Sequence, residues 1–104
     1  MTITGISISE EKLKEICLKN QVKELSIFGS ALRDDFNSDS DIDLLITYDD
    51  NTHYSLFDIV RIKEEFESFL KRPVDLVNRK AIELSKNHFR KKAILESARV
   101  IYAA

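Results

Sequence analysis

The chain has 104 residues, of which 43% are hydrophobic and 33% are charged, and its formal net charge at pH 7 is −2. This is ordinary globular composition, and the length suits one modest core, so we expect a single domain over residues 1–104. No apolar run approaches the length of a membrane span, and the net charge argues against bulk nucleic-acid binding. The lone Cys17 excludes an internal disulfide and favours a reducing compartment, so we expect a cytoplasmic protein with no membrane partner.

The first part of the chain predicts a helix followed by a strand. Ser7 and Ser9 are both possible helix caps, and apolar residues at helical spacing follow them. Residues 22–28 are rich in apolar side chains, which indicates a first strand ending at Gly29. Residues 30–40 are expected to form a short helical turn and then a polar loop.

The middle of the chain predicts a second strand and a long helix. Residues 42–48 are rich in β-forming side chains. Ser55 and Asp58 have the spacing of a capping box before an amphipathic stretch, which Pro73 ends. We expect Phe57 to lie in the core with the other phenylalanines of this helix.

The last third of the chain predicts a third short strand over residues 74–77 and helical structure over about residues 82–97. Residues 99–102 form either a strand or a docked end. This order predicts an α/β (α+β) fold, with a small mixed sheet of about three to four strands and helices packed on one face.

Charge is distributed unevenly along the chain. Residues 34–50 contain seven aspartates and no Lys or Arg, whereas residues 79–99 contain seven basic and two acidic residues. The acidic cluster repels itself unless something compensates it, and divalent metal is the usual answer. The basic cluster of Arg90, Lys91 and Lys92 is a solvated face, a docking surface for an acidic partner or a contact for RNA, and the sequence leaves these readings open.

A Gly-Ser pair follows the first predicted strand. Gly29 permits a sharp turn and the close approach of backbone to a ligand. Ser30 opens a helical turn whose free N–H groups and hydroxyl can hold phosphate oxygens. A Gly-Ser pair alone is weak evidence, but here Asp-x-Asp follows at a spacing of ten residues, which makes the combination a strong signal for nucleotide chemistry.

Three aspartates are candidates for metal ligands. Asp41 and Asp43 point the same way if both lie in extended backbone, and their repulsion becomes useful when they bind Mg²⁺. Two such ions can activate a hydroxyl and clamp a triphosphate. Asp75 lies within a Val-Asp-Leu-Val strand, where it would be satisfied by the same metals or, alternatively, by facing water.

The segment from Phe28 to Leu45 resembles the signature of the DNA polymerase β-like nucleotidyltransferase superfamily. Over nearly its full length the chain resembles the minimal nucleotidyltransferases (MNT family), which are the antitoxin partners of HEPN-domain toxins. The matching stretches read Leu-Ser-Ile-Phe-Gly-Ser, Ser-Asp-Ile-Asp-Leu-Leu and Arg-Pro-Val-Asp-Leu-Val. We expect no separate substrate-binding domain.

This resemblance implies a role for each candidate residue and a polymerase β-like nucleotidyltransferase fold. Gly29 and Ser30 would bind the phosphates of the nucleotide, and Asp41 and Asp43 would bind two Mg²⁺ ions. Asp75 would be the third carboxylate, which orients the nucleophile. The resemblance also implies ATP as donor, AMP as the transferred group, and a tyrosine of the HEPN toxin as acceptor, within an oligomeric complex of the two proteins.

One position departs from the family pattern. Relatives usually continue Gly-Ser-x-Ala-Arg-Gly, and here Arg33 matches that pattern whereas Asp34 replaces the glycine. Arg33 is a candidate phosphate ligand, with a surface salt bridge to Asp34 or Asp35 as the alternative. Asp34 can adopt the turn, but it adds a negative charge beside the phosphates.

Two other functions are alternatives to an enzyme that transfers AMP. One is a non-catalytic antitoxin that neutralises its toxin by binding alone. The other is nucleotidylation of a small molecule, against which the missing substrate domain counts. The retained Gly29, Ser30, Asp41, Asp43 and Asp75 favour the enzyme acting on its toxin, because a pure binder gains nothing from clustered carboxylates.

Overall fold

A computed structural model of the chain describes residues 2–3, 6–29, 40–50 and 53–104. Its elements are, in chain order, β1 (Thr2–Ile3), β2 (Ile6–Ser7), α1 (Glu10–Lys19), β3 (Val22–Phe28), β4 (Ile42–Tyr48), α2 (Leu56–Leu70), β5 (Val74–Asn78), α3 (Arg79–Glu83), α4 (His88–Ser97) and β6 (Arg99–Ala103). The predicted strands over residues 22–28 and 42–48 are confirmed with these bounds.

The helix caps follow the predicted chemistry, with one choice resolved. Ser9 caps α1, because its side chain accepts a hydrogen bond from the backbone N–H of Lys12 at 3.3 Å, whereas Ser7 lies in β2. Ser55 and Asp58 form the expected capping box at the start of α2. α2 ends at Leu70, and its C-cap residue, Lys71, has left-handed backbone with φ of 56°, two residues before the predicted stop at Pro73.

The helical structure expected over about residues 82–97 is present, but it is divided into two helices, α3 and α4. Asn87 begins the second helix: its side chain accepts a hydrogen bond from the N–H of Arg90 at 3.2 Å. Ser85 in turn accepts from the N–H of Asn87 at 3.1 Å. These side-chain bonds cap the start of a second helix. The last segment is the strand β6, which was one of the two alternatives.

The main sheet is mixed and has the strand order β5-β4-β3-β6. β3 pairs antiparallel with β4 and with β6, whereas β4 and β5 are parallel. α2 connects these two parallel strands, as a crossover requires. The small mixed sheet of four strands confirms the predicted fold class.

Helices cover both faces of this sheet. On the first face, α1 and α2 pack against strand residues in a core that includes Leu25, Ile27 and Leu44. On the second face, Phe28 and Leu45 pack with residues of α3 and α4. The expectation of helices on one face therefore holds for α1 and α2 only. Because strand side chains alternate, Phe28 and Leu45 form a second apolar surface that the last two helices bury.

The buried stripe of α2 starts later than its sequence indicates. Ile62 and Phe66 are fully buried, but Phe57 is 87% exposed, so its predicted core position is wrong. Phe57 belongs to the first turn of the helix, which extends beyond the sheet core. Within the part of the chain that the structure describes, no helix has both the length and the apolar character needed to cross a bilayer.

Candidate active site

Three side chains form a row at one end of the strands β3, β4 and β5. Phe28 at the end of β3 is the register partner of Asp43 on β4, and Asp43 is the register partner of Asp75 on β5. Paired residues of neighbouring strands point to the same face of a sheet. The two carboxylates therefore lie side by side on the face that α3 and α4 cover in part, although they are distant in sequence.

This row opens into a cavity of about 540 Å³. One wall consists of strand-end residues, namely Phe28, Gly29, Asp43 and Asp75. The other wall consists of residues from α4, namely Arg90, Ala93, Ile94 and Ser97. The cavity thus combines two acidic side chains, a backbone turn and one basic side chain with the buried apolar side chains of Phe28 and Ile94.

The turn beside Asp43 requires glycine at position 29, because any side chain there would cause strain. The φ of Gly29 is +71°, a backbone conformation that L side chains rarely adopt. A Cβ atom added to Gly29 would lie 3.2 Å from Cγ of Asp43 and closer still to Oδ2. The absence of a side chain therefore lets the turn pass directly over the Asp43 carboxylate, so backbone and carboxylate can contact one ligand together.

Backbone and side-chain bonds hold the start of β4 against the α2–β5 connection. The N–H of Ile42 donates to the carbonyl of Pro73 at 3.0 Å. Arg72 donates to the carbonyl of Ser40 at 3.4 Å. The N–H of Val74 donates to the side chain of Glu67 on α2 at 3.0 Å. These contacts fix the alignment of β4 and β5, and with it the distance between their two aspartates.

The remaining predicted site residues are distributed as follows. Asp43, Asp75 and Gly29 line the cavity, whereas Asp41, which is exposed and immediately precedes β4, is not among its lining residues. Ser30 and Arg33 lie outside the described residues, and their predicted contacts with phosphate stay predictions. The metal-binding and catalytic roles of the three aspartates also stay predictions.

The donor set suits Mg²⁺. Carboxylate oxygens are preferred ligands of this ion, which usually takes one or two of them and completes its shell with water and substrate phosphates. Among the residues that the structure describes, no group of three or more His, Cys, Asp or Glu side chains is arranged so that it could hold a metal ion by itself. Asp43 and Asp75 on one face are therefore the kind of open, two-carboxylate site that a metal–nucleotide complex can complete.

Arg90 is the cavity residue that sequence reasoning missed. It stood out only as one member of a basic cluster, and that cluster was interpreted as a surface. The missing signal was the start of a separate helix after Asn87, because Arg90 lies in the first turn of that helix and lines the cavity. The pattern Ser-x-Asn before His88 marks a possible helix start and could have indicated it.

A second cavity, of about 500 Å³, lies at the other end of β4. Tyr48 and Tyr54 line it, with ring centroids 4.1 Å apart and planes tilted by 39°. Burial, and to a lesser extent the neighbouring Tyr54, raises the pKa of Tyr48 to about 12. Neither Asp43 nor Asp75 lines this cavity, so it is separate from the acidic row.

A mixed sheet with a glycine turn over paired aspartates is the arrangement of an enzyme that transfers nucleotides. The chain belongs to the nucleotidyltransferase domain family, whose model matches residues 10–101. It is 38% identical over 78 residues to a Methanocaldococcus jannaschii protein whose name describes it as a protein adenylyltransferase. That match covers 75% of this chain and 82% of the relative. It is also 31% identical over 77 residues to the protein adenylyltransferase MntA of Thermococcus cleftensis, over 74% of this chain and 76% of the relative.

Solved structures share the fold. A structure described as a minimal nucleotidyltransferase matches with a TM-score of 0.65 and 27% identity, over 86% of each chain. A toxin–antitoxin crystal structure with AMP-PNP matches with a TM-score of 0.68 at 16% identity, over 93% of this chain and 75% of the other. A complex of tri-AMPylated Shewanella oneidensis HEPN toxin with MNT antitoxin matches with a TM-score of 0.59 at 16% identity, over 91% of this chain and 70% of the other. The last two likenesses concern the fold alone. The family match and the two named relatives confirm the predicted class of enzyme.

Proposed function

We propose that this protein transfers AMP from ATP to the hydroxyl group of a tyrosine in a HEPN-domain toxin. By this modification it acts as the antitoxin of that toxin. The observation that carries the proposal is the row of Asp43 and Asp75 beneath the Gly29 turn, in a cavity open to solvent. Carboxylates that face a ligand-sized cavity have a chemical use there that core packing does not explain.

The reaction is a substitution at the α-phosphorus of ATP. The acceptor oxygen forms a bond to that phosphorus, the bond to the bridging oxygen breaks, and pyrophosphate leaves. We assign to Asp75 the orientation of the acceptor hydroxyl and the acceptance of its proton, because it is the exposed carboxylate of the pair. Ser30 and Arg33 are assigned to the phosphates together with the backbone at Gly29.

Magnesium belongs to the proposed reaction as a pair of ions held by Asp41, Asp43 and Asp75. Bound there, it would neutralise phosphate charge and favour deprotonation of the acceptor hydroxyl. The protein contributes the fixed alignment of β4 and β5, which keeps two carboxylates on one face, and the buried Phe28, which gives the row an apolar base.

The relatives support the choice of donor and acceptor. Two curated relatives carry the name of a protein adenylyltransferase, which favours AMP as the transferred group and a protein as the acceptor. One structural neighbour is an MNT antitoxin in complex with an AMPylated HEPN toxin. We extend this pairing to the present chain and propose that it forms a complex with a HEPN toxin.

The test is a transfer assay with ATP labelled at the α-phosphate, Mg²⁺ and a HEPN-domain toxin as the acceptor. We expect AMP on a toxin tyrosine, identified by peptide mass spectrometry, and release of pyrophosphate. The Asp41→Asn/Asp43→Asn double variant should lose transfer and keep its fold, because it removes carboxylate repulsion together with the metal ligands.

A matched control removes two aspartates from the other end of β4. Asp49 and Asp50 are both exposed and do not line the acidic cavity, so the Asp49→Asn/Asp50→Asn variant should transfer AMP at the wild-type rate. Toxin that is neutralised with no AMP attached would instead support the antitoxin that acts by binding. Labelling of a small hydroxyl compound and not of the toxin would support the third function.

A further inference from the structure

The wall of the active-site cavity that α4 forms contains one charged side chain, Arg90, opposite Asp43 and Asp75. We infer that Arg90 binds the β- and γ-phosphates of the nucleotide and so positions the triphosphate between α4 and the two aspartates. This inference rests on the proposed function. It adds a phosphate ligand from the last helix to the candidates of the Gly-Ser segment.

The charge of Arg90 is not neutralised within the described protein, in contrast to other arginines. Arg79 lies 3.2 Å from Glu24 and 3.9 Å from Glu83, and Arg61 lies 3.6 Å from Asp58. Arg90 takes part in none of the ion pairs between described residues, and its side chain is exposed. No described carboxylate therefore competes with an anion from solution for its guanidinium, and its planar donor pair matches the geometry of phosphate oxygens.

The position of Arg90 in α4 is unfavourable for the helix but suitable for binding an anion. It lies in the first turn, where its N–H donates to the capping side chain of Asn87, and this turn contains no acidic residue. The first turn does contain a second cation, Lys91. Positive side chains at a helix N-terminus oppose the helix dipole. A polyphosphate in the adjacent cavity would offset this repulsion.

The rest of the α4 wall leaves room for a ligand and offers no competing donor. Ala93 and Ser97 are small, and they lie one turn and two turns beyond Arg90 on the same side of the helix. The hydroxyl of Ser97 donates to the carbonyl of Ala93 at 2.7 Å, with a longer contact of 3.3 Å to that of Ile94. Because this hydroxyl hydrogen is already used, Arg90 is the donor on this wall for phosphate.

The inference is tested by binding rather than by activity. Isothermal titration measures the affinity of the whole chain for ATP and for inorganic tripolyphosphate, each with Mg²⁺, in the wild type and in Arg90→Ala, Arg90→Lys and Lys92→Ala. We expect Arg90→Ala to lower the affinity for both ligands by roughly 10- to 100-fold, which is the loss typical of a charged hydrogen bond. Arg90→Lys should retain part of the affinity, because it keeps the charge and loses the paired donors.

Lys92→Ala is the matched control, because it removes a cation from the same helix at a position that does not line the cavity. Its affinities should stay within about twofold of the wild type, given the weak effect of an exposed charge. A melting curve for each variant checks the fold, which the exposed Arg90 should leave unchanged. AMP, which lacks the β- and γ-phosphates, should bind the Arg90→Ala variant and the wild type alike.

Three results separate the outcomes. Unchanged affinity of Arg90→Ala for tripolyphosphate would overturn the role of Arg90, and the proposed function would stand if the wild type still transfers AMP. If Arg90→Ala loses affinity for tripolyphosphate but the wild type transfers no AMP to the toxin, the role of Arg90 is supported and the result counts against the proposed function. An equal loss in Lys92→Ala would show a general charge effect and would also overturn the specific role of Arg90.

Discussion

Asp43 and Asp75 are register partners on the neighbouring parallel strands β4 and β5. Neither residue is near the other in sequence, so their carboxylates meet only when α2 has crossed over and β5 has paired with β4. Parallel pairing of this kind closes a long loop, so the contact between the two strands carries the entropy cost of that closure. The acidic row is therefore a product of the completed fold, and its repulsion is tolerated because the rest of the sheet holds the strands.

The first prediction concerns the role of Asp75. Asp75→Asn should lower the turnover of AMP transfer much more than the affinity for ATP, since orientation and deprotonation of the acceptor matter mainly in the transition state. Single-turnover rates and titration with ATP measure the two quantities separately. Equal losses in both would make Asp75 a ligand of the bound nucleotide, and unchanged kinetics would return it to an aspartate that simply faces water.

The second prediction concerns the contact between Gly29 and Asp43. Gly29→Ala should destabilise the protein by about 1–2 kcal/mol through its left-handed backbone and should also displace the Asp43 side chain. In an Asp43→Ala background the added methyl group meets no carboxylate, so the same substitution should cost less. Urea unfolding of the four proteins in this double-mutant cycle gives the coupling. Additive costs would mean that the methyl group and the carboxylate do not interact.

The third prediction concerns Cys17, which is fully buried in the core between α1 and the sheet. Burial raises the pKa of its thiol from 9.0 to about 12. Because the folded pKa lies above the unfolded one, the stability that the neutral thiol contributes is fully present below about pH 9 and is lost as pH rises towards 12.

Two measurements check this behaviour of Cys17. A thiol reagent such as Ellman's reagent should react in urea and not with the native protein at pH 8. Urea midpoints should fall above pH 9, and they should fall less steeply in Cys17→Ala, where Tyr48 remains as a buried group with a raised pKa. Fast labelling of the native protein would contradict the buried position.

The fourth prediction concerns the capping box of α2. Ser55→Ala should destabilise the protein by about 1 kcal/mol, because it removes the acceptor for the N–H of Asp58. The matched control is Ser68→Ala, an exposed serine within the same helix that should have little effect. Thermal or urea unfolding measures both, and equal effects would contradict the cap.

The same box also gives a dependence on acid. The backbone N–H of Ser55, followed by its hydroxyl, lowers the pKa of Asp58 below its usual 3.8. A lowered folded pKa means that the associated stability is present above pH 3.8 and is lost as pH falls through the folded value. Asp58→Asn should therefore make the acid unfolding of α2, followed by circular dichroism, less steep in this range.

The fifth prediction separates the basic residues of α4 by their surroundings. Lys91 and Lys92 do not line the active-site cavity, whereas Arg90 does. Reversing Lys91 and Lys92 to Glu should slow association with an acidic toxin surface and reduce its salt dependence, while the affinity for ATP is retained. Surface plasmon resonance at two salt concentrations measures the association. An unchanged association rate would leave these lysines as a solvated face.

Local elements could be predicted because their signals are local. β3 and β4 have the predicted bounds, since runs of apolar and β-branched residues bounded by polar turns need no tertiary context. The capping box of Ser55 and Asp58 is similarly a contact between residues three apart. The division of the last helical region into α3 and α4 was missed. The signal for it is one capping side chain, that of Asn87, and the helical spacing of apolar residues around it is the stronger pattern in the sequence.

The sequence by itself determined the chemistry of this protein: a glycine turn after a strand, Asp41 and Asp43 at strand spacing, and a third aspartate within a later strand. Tertiary structure alone decided which of these groups meet. The pairing of β4 with β5 places Asp43 beside Asp75, and the turn at Gly29 passes over Asp43. The packing of Ile94 against Phe28 and Leu45 brings α4, and with it a basic side chain, to the same cavity. The physical reason is that side-chain type is encoded residue by residue, whereas proximity depends on burying apolar surface on both faces of the sheet at once.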